Sequence, residues 1–254
     1  MSDPVLPSTV IITGATGAIG AATARRIAAE GGRVALVARD AARLAEVAAG
    51  LPAGSATIHA ADPTESAPID AAFAEIAATA RPAGLVHAVG STLLKPLHLL
   101  TDAEIDEVLR VNLLSAMRAL RAFARIVPRG EPAAALLFSS AATQIGLVNH
   151  EAIATAKAGV DGLVRSAAAT YATRGIRVNA IAPGLVRSGL TRRLVENEAV
   201  LRASEAMHPL GRIGEPEDVA ALAALLVSPA TAWVTGQTIG VDGGLAGIKL
   251  PPRG

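Results

Sequence analysis

Short, nearly continuous apolar runs alternate with longer alanine-rich stretches along the whole chain. The runs Thr9 to Thr13, Arg33 to Ala38, Ala56 to His59, Gly84 to His87, Ala134 to Ser139, Arg177 to Ala180 and Thr238 to Val241 read as strands. Within Val10-Ile11-Ile12 and Ala134 to Phe138 apolar residues do not alternate with polar ones, so both faces of these strands must be covered. The stretches between them have amphipathic periodicity and read as helices. Strand and helix in regular alternation predict an α/β fold with a parallel sheet in the middle of three layers. Turn signals at Gly31-Gly32, Pro52 to Gly54, Pro82 to Gly84 and Arg129-Gly130 punctuate the units without lengthening into a linker. No repeat is visible, so residues 1–254 are expected to form a single domain.

Composition narrows the function. Apolar residues make up 51% of the chain and aromatic residues only 2%, so the core must be built from Ala, Val, Leu and Ile with close helix-to-sheet contacts. The 23 basic and 22 acidic residues are scattered and leave a net charge of +1, which disfavours nucleic acid and anionic membranes as partners. The absence of cysteine excludes disulfides, thiolate metal sites and a cysteine nucleophile, and suits a reducing cytoplasm. Met1 to Ser8 carry no basic-then-apolar leader pattern, and no later stretch runs about 18 residues without a charge or helix breaker, so a soluble, unprocessed protein is expected.

The first strand runs into Thr13-Gly14-Ala15-Thr16-Gly17-Ala18-Ile19-Gly20 and then into a helix beginning near Ala18. Glycines here let the backbone approach a pyrophosphate and let the helix pack on the strand, while the helix N-terminus offers N–H donors and a positive dipole. The same string alone would be an ordinary tight turn; the strand before it and the helix after it favour a phosphate cradle. Together these signals describe a Rossmann-like, doubly wound fold: a seven-stranded, mostly parallel sheet flanked by helices on both faces.

The glycine spacing resembles the TGxxxGIG motif of the short-chain dehydrogenase/reductase family. The resemblance continues through Asn112 in Val111-Asn112-Leu113, Ser140 after a strand, Lys157 in a helix, Asn179 in Arg177-Val178-Asn179, and Pro183-Gly184. It ends in Gly211-Arg212-Ile213-Gly214-Glu215-Pro216 and Val241-Asp242-Gly243-Gly244. The family implies a nicotinamide cofactor and contacts to it by position. Asp62 would meet the adenine, or cap a helix with Pro63 as its first residue, or do both. Ala38 stands where relatives that prefer NAD carry an acid for the ribose hydroxyls, and Arg39 follows it; a guanidinium there suits a 2′-phosphate. NADP(H) is therefore the expected cofactor, with NAD(H) as the alternative.

Further along, the family's Asn-Asn-Ala-Gly reads His87-Ala88-Val89-Gly90, with His87 expected to support the sheet rather than react. Pro183, Gly184, Val186 and Ser188 match the loop that holds the nicotinamide, Ser188 replacing a threonine. The expected cofactor-binding set is thus Gly14, Thr16, Gly17, Ala18, Ile19, Gly20, Arg39, Asp62, Pro63, Ala88, Gly90, Lys157, Pro183, Gly184, Val186 and Ser188, with no metal.

At the reacting end the family uses a serine, a tyrosine and a lysine, with an asparagine ordering a water relay. Ser140, Lys157 and Asn112 match, but the tyrosine position, four residues before Lys157, is Ile153. The one tyrosine, Tyr171, lies far along the same helix and is expected to pack. His150 precedes Lys157 by seven residues, about 700 degrees of helical rotation, so the two are expected on nearly one face about 10 Å apart. Enoyl reductases of the same superfamily carry their tyrosine at that offset, which makes His150 the candidate donor and Ile153 an apolar wall. A polar residue at a helix start is the other reading of His150, and strand termination the other reading of Ser140.

The expected function is NADP(H)-dependent hydride transfer to or from a carbonyl or activated C=C of a small molecule. Enoyl thioester reduction is a narrower alternative, and a catalytically silent nucleotide-binding homologue is a third. The resemblance also implies a homodimer or homotetramer, built on the helices that carry Asn112 and Lys157, and a segment from Thr191 to Pro209 that covers the substrate.

Overall fold

The computed structural model describes residues 8–249; the expectation for Met1 to Ser8 therefore lies, Ser8 apart, outside the described residues. Seven strands, β1 Ser8–Thr13, β2 Arg33–Ala38, β3 Ala56–Ala60, β4 Arg81–His87, β5 Ala133–Phe138, β6 Ile176–Pro183 and β7 Thr238–Val241, form one sheet. Their order is β3-β2-β1-β4-β5-β6-β7 and every pairing is parallel. The helices are α1 Ala18–Ala29, α2 Ala41–Ala49, α3 Ser66–Thr79, α4 Asp102–Leu109, α5 Ser115–Ile126, α6 Glu151–Tyr171, α7 Arg192–Val195, α8 Glu198–Met207 and α9 Pro216–Val227.

Successive strand residues point to opposite faces, and both faces are apolar. Ile11, Val37, Leu85 and Leu137 pack with α3, α5 and α6, whereas Ile12, Leu36, Val86 and Leu136 pack with α1, α2 and α9. The lack of apolar–polar alternation in the sequence is thus the mark of a sheet sandwiched between two helical layers. The sequence reading places β2 and β7 at their observed bounds and makes β4 and β6 too short, β4 because Pro82 to Gly84 reads as a turn. Pro82 lies opposite Thr9 near the start of β4, and Pro183 is the last residue of β6, positions where a missing N–H costs no central ladder bond. Among the described residues no helix is long and apolar enough to cross a membrane.

The strand order reverses between β1 and β4, where ligand crevices open in sheets of this kind. There Thr13 and His87, the last residues of the two strands, lie side by side in the interior. The Ser115 hydroxyl donates to Val111 O at 2.5 Å, so it accepts from His87 Nε2–H at 2.9 Å. His87 Nδ1 is then bare and accepts the Thr13 hydroxyl at 2.7 Å. His87 is accordingly neutral: burial, with the nearby Lys157 charge adding to it, pushes its pKa down to about 3. This bears out His87 as a supporting residue, and shows that its support runs through Ser115 and Val111 into the π turn Arg110–Leu114, which carries Asn112 between α4 and α5.

Between pH about 6.5 and 3 the unfolded chain takes up a proton that folded His87 refuses, so stability must fall as pH drops through that window. Thermal melts across it should show a steeper acid loss in the wild type than in His87→Asn; parallel curves would contradict a neutral His87.

Candidate cofactor cradle and active site

Beyond the C-terminal ends of the strands, Gly14 turns the chain with φ 72°, and a Cβ there would lie 2.4 Å from Ala88 O. No other residue fits this close approach between the turn after β1 and the turn after β4. Gly14 N donates to Val37 O and Gly17 N to Gly14 O, both at 2.9 Å, which fixes the curl of the loop. A Cβ on Gly20 would meet Gly14 O at 2.4 Å, so α1 can sit against the turn only with glycine there. Gly17 caps α1 without a side-chain bond and the first turn has no acidic residue. The amides of Ala18, Ile19 and Gly20 thus face outward with helix-dipole support and no backbone acceptor, a donor set suited to a dinucleotide pyrophosphate.

At the rim, Ala38 is buried and Arg39 exposed. Asp40 caps α2, accepting from Arg43 N at 3.1 Å. Arg43 Nη2 reaches back to Thr16 O in the glycine turn at 3.3 Å. Among the described residues neither Arg39 nor Arg43 forms an ion pair, Asp40 included. Arg43 is absent from the sequence reading. Its signal was local: Asp40 as cap puts Arg43 in the first turn of α2, aimed at the glycine loop.

Asp62 does not cap α3, which starts at Ser66 with Glu65 before it. Instead it opens a turn closed by Glu65 N to Asp62 O, and Oδ1 accepts from Thr64 N at 2.8 Å and Thr64 Oγ1 at 2.7 Å. Burial opposes its charge, but these bonds and the guanidinium groups of Arg39 and Arg110 outweigh that and hold the carboxyl below the usual range. Pro63 is therefore a turn residue, buried beneath Asp62 rather than the first residue of a helix.

Three expected site residues, Asn112, Gly90 and Lys157, converge after β4, and a fourth, Ser140, follows β5. Asn112 is buried in the π turn; its Oδ1 accepts from Ser91 N at 3.1 Å, and its Nδ2 donates to Ser91 Oγ and Val108 O, each at 3.0 Å. Lys157 on α6 is 7% exposed and donates from Nζ to Phe138 O at 2.8 Å. A Cβ on Gly90 would lie 3.1 Å from Asn112 Oδ1 and 3.7 Å from Lys157 Nζ, so Gly90 marks where these two polar groups meet. Ser140 caps the short turn Ala141–Thr143, its Oγ accepting from Ala142 N at 3.1 Å.

Ile153 is buried in an apolar cluster with Val108, Ala152 and Ala156 and acts as a wall. Tyr171 packs against the core near the far end of α6, with Arg174 over its ring. His150 departs from expectation. It is the cap residue before α6 (φ −101°, ψ 8°) rather than a residue inside the helix, and its carbonyl accepts from Ala154 N at 2.7 Å. Asn149, at φ 64°, reverses the chain just before it, and His150 Nδ1 lies 2.8 Å from Val148 O. On the other side of the cradle, Val186 is buried and bridges Gly214, while the Ser188 hydroxyl lies 3.0 Å from Thr191 Oγ1. Pro183 ends β6, and Gly184 N donates to Val241 O.

Comparison with known proteins agrees with this architecture. A family model described as enoyl-(acyl carrier protein) reductase matches residues 14–246. Galactitol 2-dehydrogenase (L-tagatose-forming) of Cereibacter sphaeroides is 39% identical over 238 residues, 92% of each chain. The chain belongs to the short-chain dehydrogenase/reductase family. A crystal structure of a putative gluconate dehydrogenase from Agrobacterium tumefaciens superposes with TM-score 0.89 at 29% identity, covering 96% of this chain and 98% of that one. Actinorhodin polyketide ketoreductase, solved with NADPH, gives TM-score 0.86 at 27% identity over 95% of this chain and 98% of that one. This short-chain dehydrogenase/reductase is thus similar along nearly its whole length to oxidoreductases that use the same sheet.

Within it, burial pushes the Lys157 pKa down to about 8, an effect that Asp161 only partly offsets. From about pH 8 to 10.5 the unfolded chain keeps a proton that the fold has shed, so stability rises with pH over that window. Lys157→Met should lack this rise in thermal melts; an identical rise would mean that another group releases the proton.

Proposed function

We propose that this protein is an NADP(H)-dependent oxidoreductase that interconverts a small alcohol and its carbonyl. One observation carries the reading: the glycine cradle after β1, Gly90 after β4, Ser140 after β5 and Pro183 at the end of β6 all open on one edge of an all-parallel sheet, with Lys157 and Asn112 buried between them. The bound cofactor would supply hydride chemistry.

The chain's own groups divide the remaining work. The amides at the start of α1 take the pyrophosphate, Asp62 the adenine side, and the loop Pro183, Gly184, Val186 and Ser188 the nicotinamide side. Arg39 and Arg43, unpaired beside a strand end without a carboxylate, favour a 2′-phosphate. Below about pH 8 Lys157 presents a charged ammonium to a ribose hydroxyl. The Ser140 hydroxyl accepts from Ala142 N, which leaves its hydrogen free for a substrate oxygen that gains negative charge. Asn112 uses its amide to hold the Ser91 turn, and one Oδ1 lone pair remains for a relay water.

His150 would handle the proton, and its surroundings choose the direction. A carbonyl only accepts, so Val148 O takes the hydrogen on Nδ1 and leaves Nε2 as the nitrogen that can exchange a proton. That nitrogen is a base, matched to taking a proton from an alcohol as it becomes a carbonyl; the ring can donate from Nε2 only after it is itself protonated. The second reading, a nucleotide-binding protein without turnover, is favoured by Ile153, whose apolar burial leaves no proton carrier at its position. Exposed Leu114 and Met117, on the π turn and α5, support assembly through these helices into a homodimer or homotetramer.

Alcohol oxidation across a polyol and hydroxyacyl panel should fall about 100-fold or more in His150→Ala while cofactor affinity holds; unchanged turnover excludes His150, and no turnover in the wild type supports the silent reading. Arg39→Ala should weaken NADPH about tenfold or more and leave NADH unchanged; equal wild-type affinities for the two would remove the 2′-phosphate argument.

A further inference from the structure

After Val186 the chain leaves the body of the protein, forms α7 and α8, and returns at Ile213. In residues 187–212 only His208 is buried, at 3% exposure. Neither α7 nor α8 buries any of its own residues. A cover of this length would ordinarily be held by several apolar side chains on its inner face; this one is anchored in the interior through a single imidazole.

The hydrogen bonds define the state of that ring. His208 Nδ1 lies 2.7 Å from Ser204 O, one turn back in α8, and Leu185 N lies 3.3 Å from Nε2. A carbonyl accepts and an amide N–H donates, so the ring is neutral, protonated on Nδ1 and bare on Nε2. The first bond stays inside the cover. The second crosses from the cover to the loop after β6. The fit is close: a Cβ on Gly184 would lie 2.7 Å from His208 Nε2, and one on Gly243 3.6 Å from His208 Cδ2. Gly184, Leu185, Asp242 and Gly243 together with His208 wall a cavity of about 420 Å³ where the segment returns to the body.

We propose that His208 is the clasp of the substrate cover: a positioning residue that holds α7 and α8 in place by accepting the Leu185 amide, without touching the reacting atoms. The inference rests on the proposed function in taking residues 187–212 as the cover. The segment's other ties to the body include Leu210 N to Gly243 O at 3.1 Å and the exposed ion pairs Arg212–Asp218 and Arg187–Glu215, none of which buries a side chain, so loss of the one buried ring lets this segment open for exchange while the sheet stays intact. Closure acts on the loop from Pro183 to Ser188 because the clasp is bonded to the middle of that loop.

Two substitutions separate the two bonds. His208→Gln can place a carbonyl oxygen near the site of Nε2 and keep the Leu185 bond; His208→Asn can reach Ser204 O but is too short for Leu185. Limited trypsin digestion of the full-length protein reads opening at Arg192, Arg193 and Arg202, all exposed on the cover, and kinetics read KM against kcat. His208→Asn and His208→Leu should be cut roughly tenfold faster than wild type and His208→Gln at close to the wild-type rate. Substrate KM should rise in the first two with kcat little changed. Equal acceleration in all three variants would make His208 a packing residue and overturn the clasp, as would wild-type rates in His208→Asn. An unchanged KM in a variant that opens would overturn the role in substrate positioning. If the protein turns over no substrate, the proposed function fails, while the digestion rates still decide the clasp.

Discussion

Lys157 brings an amine into the interior of the sheet and finds one carbonyl, Phe138 O, to receive it. A charge so placed governs its neighbours. His87 is kept neutral by burial with that charge adding to it, and Ser115, donating to Val111 O, then sets the tautomer and with it the direction of each hydrogen bond back to Thr13. The relay ends in the π turn that delivers Asn112 to the side of Lys157 across Gly90. Helix, two strands and turn are thereby tied together by the need to satisfy buried polar groups in a medium where an unpaired one costs about 1–3 kcal/mol.

The sheet and the cover follow opposite rules of assembly. Strands β1, β2, β4 and β5 carry apolar residues to both helical layers, and each layer closes on large, fully buried side chains such as Phe123 on one side and Leu36 on the other. The segment after Val186 contributes no such residue except His208. Chemistry that needs a rigid edge and a yielding entrance is served by this division, since tightly packed elements open only near the global unfolding free energy and sparsely packed ones open locally.

Much of this was legible residue by residue. The turn from Gly14 to Gly20 is readable because strand, glycines and helix are adjacent in sequence and each glycine has a local steric reason. Ser140, Lys157 and Asn112 were readable only by resemblance, since they meet across separations that spacing does not encode. His150 shows the limit of periodicity: seven residues before Lys157 places it at the very edge of α6, where its carbonyl receives Ala154 N and the positive φ of Asn149 ends the helix. Asp62 shows the same limit. Asp-Pro predicts a cap, but the Thr64 amide and hydroxyl take the carboxylate into a turn instead. His208 was invisible because its partner across the fold, Leu185 N, is a backbone atom, which leaves no trace in composition.

The sequence by itself determined the alternation of strand and helix, the burial of the sheet on both faces, the phosphate turn and the absence of an acid at Ala38, because each depends on residues within a few positions of one another. Tertiary structure alone decided the protonation of His87, the bond of His150 Nδ1 to Val148 O, the capping of α2 by Asp40, and the contact of His208 with Leu185 N. These depend on which donor faces which acceptor across the fold, and a hydrogen bond takes its direction from both partners at once.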